Sequence, residues 1–193
     1  MKHSLFAIVV VLVAGLASAA QAHTFGTHGA GFLAGIIHPF GGLDHAIAMV
    51  AVGIWAAQLG GRAHWLVPAA FVACMIAGGV AAFAGLHMDF TELGILGSVL
   101  VFGLLIAAAP RLPLWLPTTS VAVVAIFHGH AHGMEMPQAT SPTAYAAGFV
   151  FATVSLHVLG IALALGVHKW VGAYAIRALG VAVAAGGIAL AAA

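Results

Sequence analysis

Residues 64–86 read HWLVPAAFVACMIAGGVAAFAGL, an apolar run without a single Asp, Glu, Lys or Arg. A helix needs about 20 such residues to cross the hydrocarbon core of a bilayer. Comparable runs occupy roughly residues 40–60, 91–109, 114–133, 143–167 and 170–192, so six membrane-spanning helices are expected. The connections are a few residues each, rich in Gly, Pro and His, and leave no room for an extramembrane domain. The fold class expected is therefore all-α, a polytopic membrane helical bundle. No stretch alternates apolar and polar residues as a membrane barrel strand does. Glycines inside the runs (Gly78, Gly79, Gly94, Gly97, Gly103, Gly186, Gly187) suit close backbone packing between membrane helices.

The whole-chain composition points the same way. Of 193 residues, 64% are hydrophobic and 5% charged, whereas a soluble domain carries about a quarter charged residues. Disorder needs the opposite balance, low hydrophobicity and high charge. Five scattered Lys and Arg form no basic stripe, so no nucleic-acid partner is expected. Twelve histidines outnumber the five basic and four acidic residues combined. That excess of imidazole requires an explanation.

Residues 1–22 have the form of a secretory signal peptide. Lys2 and His3 make a short positive start, an apolar core follows from Leu5, and Ala20-Gln21-Ala22 supplies small residues for cleavage. The remaining domain, residues 23–193, would begin at His23, whose free amine and imidazole form a potential chelate. Cleavage would put that end outside the cytoplasmic membrane. Arg62, Arg111 and Lys169 would then fall in cytoplasmic loops, with Arg177 snorkelling to the same side. Asp44, Asp89, Glu92 and Glu135 would fall at the outer face, as the positive-inside rule requires. Trp55, Trp65, Trp115 and Trp170 are mostly near helix ends, as interfacial aromatic residues should be.

Two polar clusters interrupt this apolar chain. The first is HPFGGLDH at residues 38–45, with Met49 one turn further on. Pro39 and the Gly pair break the backbone before the first span, and a carboxylate entering hydrocarbon marks function by default. The second is FHGHAHGMEMP at residues 127–137. On a helix His128, His132 and Glu135 share one stripe while His130 points away. Imidazoles and carboxylates together suit Ni²⁺, Co²⁺, Cu²⁺ or Zn²⁺. The spacing is not HExxH, so no zinc-protease site is indicated. The two clusters can converge if the first and fourth helices are neighbours. The candidate metal ligands are His38, Asp44, His45, His128, His132 and Glu135, with His23, Met49, Glu92, His130 and His157 as secondary candidates. His157 reads either as a relay or as a core histidine bonded to Ser155 or a backbone carbonyl. Asp89-Phe90-Thr91-Glu92 reads as a capping pattern for the third span. The lone cysteine, Cys74, has no partner for a disulfide.

At HPFGGLDHAIAMVAVG and FHGHAHGMEMP the chain resembles the HupE/UreJ family of nickel and cobalt permeases, and the order of signal peptide and helices agrees along essentially its whole length. The resemblance implies secondary transport of a divalent metal ion, Ni²⁺ or Co²⁺, across the bacterial inner membrane for hydrogenase or urease maturation. It implies metal handling by His38, Asp44, His45, His132 and Glu135, with His128 beside them and Glu92 as a further acidic position. The partners expected are the metal ion as cargo and the lipid bilayer, with a homo-oligomer left open. No cofactor is expected, and no enzymatic activity, since neither a Walker A loop nor a nucleophile–base arrangement is present. Two other readings use the same histidines: a membrane haem or electron-transfer subunit, and a metal-binding membrane protein that does not conduct.

Overall fold

The computed structural model describes residues 31–136 and 141–192. The expected signal peptide and His23 lie outside the described residues. Among the described residues the chain forms seven α-helices and one 3-10 turn, with no strand. The elements are α1 (Phe32–Ile37), the turn His38–Phe40, α2 (Leu43–Leu59), α3 (Ala63–Phe83), α4 (Thr91–Ala108), α5 (Trp115–Met134), α6 (Pro142–Trp170) and α7 (Ala173–Ala191).

Each expected span contains one long helix, α2 to α7, but the helices are not equally apolar. Four of them, α3, α4, α6 and α7, are long and apolar enough to cross a membrane unaided. The chain is therefore a multi-pass membrane protein. A fifth candidate is broken: α1 with its turn meets α2 at an 88° bend. Pro39 sets that corner, because its ring fixes φ and removes a backbone donor. Gly42 then restarts the helix from an extended conformation, φ −118° and ψ 118°. The short α1 was not expected. The remaining helix, α5, is the least apolar because His128, His130 and His132 occupy its last two turns.

Helices associate in pairs through their glycines. A Cβ on Gly129 of α5 would collide with the Met75 carbonyl of α3, and one on Gly133 would press on Ala82. Those two contacts advance together along both chains, so α3 and α5 run parallel. In the same way Gly53 of α2 and Gly160 of α6 sit backbone to backbone. The third pair, α4 with α7, is antiparallel, since Gly103 meets Ala184 and Gly187 meets Leu100. Absence of a side chain lets backbones approach and gain dispersion contact where lipid supplies no hydrophobic drive. Gly97 and Gly186, expected to do the same, face open space.

The interior between the pairs is filled by large apolar side chains, including Met49, Phe71, Phe102 and Ile106, all fully buried. Trp55 belongs to this core, 1% exposed and 5.8 Å from the Phe102 ring. It is not at an interface, because its helix face turns inward. Trp65, Trp115 and Trp170 are exposed near helix ends as expected. The capping expectation at 89–92 also changes. Phe90, with φ +62°, stands at the N-cap of α4 and no side chain caps it. Thr91 Oγ1 instead donates back to the Met88 carbonyl at 2.9 Å.

The bundle has chemically distinct ends. Asp44 opens α2, Asp89 and Glu92 lie where α3 gives way to α4, and Glu135 follows α5. All four acids gather at one end, hereafter the acidic end. Arg62, Arg111 and Lys169 lie in or beside the turns at the other, basic end. Arg177 is one turn into α7 and its Nε donates to the Ala107 carbonyl at 2.7 Å, closing the C-terminus of α4.

Candidate metal centre

The site is assembled at the acidic end from three elements. The 3-10 turn carries His38, the first turn of α2 carries Asp44 and His45, and the last turns of α5 carry His128 and His132 with Glu135 just beyond. Convergence was conditional on α2 and α5 being neighbours, yet it occurs although their backbones are not packed together: α2 is paired with α6, and α5 with α3. Imidazoles span the interval. The His45 ring lies 4.3 Å from that of His132 and 5.2 Å from that of His128, centroid to centroid.

Two groups of ligand atoms result, and they share His132. In the inner group His45, His128 and His132 are all buried, and each offers one nitrogen within 4.8 Å of the others. In the outer group His38, His132 and Glu135 meet the same distance limit, with Glu135 exposed and His38 half-buried. Metal–imidazole bonds are about 2 Å long, so a small contraction would bring either group onto one ion.

Hydrogen bonds fix which nitrogens remain available. Asp44 Oδ1 accepts from the His45 backbone N–H at 2.9 Å and from the ring Nδ1 at 2.8 Å. Its carboxylate therefore orients His45 and leaves the buried Nε2 without a partner. Carboxylate-held imidazole of this kind is a common support for metal ligands. Gly42 makes the pair feasible, because a Cβ there would stand 2.6 Å from His45 Nδ1 and 2.8 Å from Asp44 Oδ1. Ser98 of α4 gives its own hydrogen to the Ile95 carbonyl and accepts from His128 Nε2 at 3.3 Å. His128 Nδ1 is left unpartnered, as are both ring nitrogens of His132. Buried polar atoms are ordinarily paired, and here each of three neighbouring histidines keeps an unpaired ring nitrogen.

The outer group is wetter and already paired. His38 Nε2 donates to Glu135 Oε2 at 3.0 Å, and His132 Nδ1 lies 3.8 Å from the same oxygen. The hydrogen bond from His38 holds the Glu135 carboxyl below the usual carboxylate range, against the opposing effect of partial burial. Tyr145 and Phe149 of α6 pack against the His38 ring at 5.5 and 6.2 Å. An apolar cavity of about 330 Å³ is bordered by His132 together with Met75, Phe83 and Phe149.

Other sequence candidates stand apart. His130 turns away from both groups and its Nε2 donates to the Leu86 carbonyl at 2.8 Å. Glu92 is exposed at the start of α4, outside both groups. Met49 is fully buried in the core. His157 lies deeper, and Ser155 is not its partner, since Ser155 Oγ donates to the Phe151 carbonyl at 2.8 Å. Two contributors have no local signal in the sequence. One is Ser98. The other is Phe71 of α3, whose ring contacts His128 at 5.4 Å and His157 at 5.0 Å.

The family described as HupE / UreJ protein matches residues 10–190. The chain is 46% identical over 190 residues to Protein HupE of Rhizobium leguminosarum bv. viciae, covering 98% of each. No solved structure matches it. The length of the family match and the level of identity place the chain in the HupE/UreJ family.

Proposed function

We propose that this protein is a secondary permease that carries a divalent transition metal ion, Ni²⁺ or Co²⁺, across the cytoplasmic membrane into the cell. In this reading a signal peptide at residues 1–22 is removed, α2 to α7 span the membrane as six helices, and the acidic end faces outward. The observation that carries the reading is the inner trio, three buried imidazoles with unpartnered nitrogens converging at the end where every described carboxylate gathers. Neutral imidazole and ionised carboxylate are the ligand forms a borderline metal ion requires. Glu135 and His38 receive the ion from water, His132 passes it inward, and His45 and His128 complete its shell. Asp44 acts through His45, setting its tautomer and strengthening it as a ligand. A shell of neutral imidazoles holds a dication less tightly than thiolates would, which allows release as well as loading. The delivered metal would serve hydrogenase or urease maturation.

The test is uptake of radiolabelled Ni²⁺ and Co²⁺ by cells lacking their own importers, comparing wild type with Asp44→Ala, His45→Ala and His132→Ala at matched protein levels. Import by wild type and its loss in the three variants is the expected result. A correctly inserted wild-type chain that imports neither ion overturns the transport reading. Unchanged uptake in all three variants overturns the site.

A further inference from the structure

His157 is 1% exposed, sits mid-way along α6, and neither of its ring nitrogens has a hydrogen-bond partner. A histidine kept only for packing would be expected to satisfy at least one of them, because an unpaired buried polar group costs about 1–3 kcal/mol. Nothing in the two ligand groups described above uses it. Its position is nevertheless continuous with them. The Phe71 ring touches both His128, at 5.4 Å, and His157, at 5.0 Å between centroids, so one aromatic side chain joins the inner trio to His157.

The inward face of α6 connects the same points. Tyr145, Phe149, Thr153 and His157 recur every four residues and are all buried, so they form one stripe along the helix. Tyr145 flanks His38 at the mouth, and Phe149 packs against His132 with ring centroids 4.2 Å apart. Thr153, one turn from His157, is fully buried and donates to the Phe149 carbonyl at 3.0 Å. The polar groups along this stripe thus begin beside the outer ligands and end at His157.

The geometry points to His157 as an inner metal-binding position on the translocation route, entered from the His45, His128 and His132 trio when the Phe71 ring moves aside. This assignment rests on the transport reading given above. The ion taken is the same class, a divalent borderline metal that accepts imidazole nitrogen, with the Thr153 hydroxyl adjacent on the same face. With one imidazole and no carboxylate the position binds weakly, as a transit step requires.

The test compares His157→Phe, His157→Ala and His157→Met in two measurements: Ni²⁺ uptake by importer-deficient cells, and Ni²⁺ loading of purified protein by titration calorimetry. Loading at the inner trio of His45, His128 and His132 should persist in all three. Uptake should fall at least tenfold in the Phe and Ala variants, while Met, which restores a donor atom, should retain at least a third. Uptake within twofold of wild type in His157→Phe overturns the proposal, and so does a loss in His157→Met as deep as in His157→Phe. If the variants do not accumulate, wild-type crystals soaked in millimolar Ni²⁺ decide the matter. Anomalous density beside His157 supports the assignment, and density confined to the trio overturns it. A wild type that neither loads nor imports Ni²⁺ defeats the transport reading itself, an outcome distinct from all of these.

Discussion

The inner and outer ligand groups share His132 and differ in almost everything else. The inner trio is buried and keeps at least one unpartnered nitrogen on each ring; the outer group is partly exposed, includes a carboxylate, and is internally hydrogen-bonded. Water pays the cost of leaving Glu135 charged at the rim, whereas a carboxylate buried beside the trio would need a partner at all times. The chain meets that constraint by seating Asp44 against His45, so the acid contributes polarisation without standing free in the interior. The rim is thus suited to attracting a cation, and the interior to exchanging water for imidazole.

Four substitutions test that division, from the largest expected effect to the smallest. His132→Ala removes the shared ligand and should lower Ni²⁺ uptake by about 100-fold or more, since neither group is complete without it. If uptake stays above a tenth of wild type, the two groups work independently. Asp44→Asn keeps the shape but loses the carboxylate that sets the His45 tautomer, and should weaken Ni²⁺ affinity by about 10–100-fold. Titration calorimetry on purified protein measures this directly, and an unchanged affinity would remove Asp44 from the inner site. Glu135→Gln should slow uptake about tenfold at low ionic strength and much less in high salt, because a rim charge acts mainly by long-range attraction. A salt-independent defect would move Glu135 into the inner shell. Ser98→Ala should cost about fivefold in affinity, the worth of one neutral hydrogen bond near 1 kcal/mol. Complete insensitivity would show that His128 is held by packing against Phe71 alone.

The long helices were legible in the sequence because runs such as 64–86 and 143–167 contain nothing but membrane-compatible residues, and hydropathy is a local property. The stripe of His128, His132 and Glu135 was legible for the same reason, being set by helical periodicity. Convergence of His45 with His132 could be stated only as a condition, because it depends on how α2 and α5 are placed by their separate partners. Ser98, 30 residues from His128, and Phe71, on a different helix, leave no mark on local pattern. The bend before α2 was half visible: Pro39 and Gly42 announced a break, but not the short helix α1 on its far side. Trp55 was misplaced because an aromatic residue near a helix end looks the same whether its face turns to lipid or to the core.

The glycine contacts have a mechanical consequence. Gly129 locks α5 to α3 and Gly53 locks α2 to α6, so each pair is a stiff two-helix plank. The ligands of the inner trio are divided between the planks, His45 on one and His128 with His132 on the other. Any sliding or rocking of one plank against the other changes ligand spacing at once, while the contacts inside each plank stay intact. The metal site is therefore also the joint of the bundle, and an ion drawing the three nitrogens together acts as a removable clasp across it.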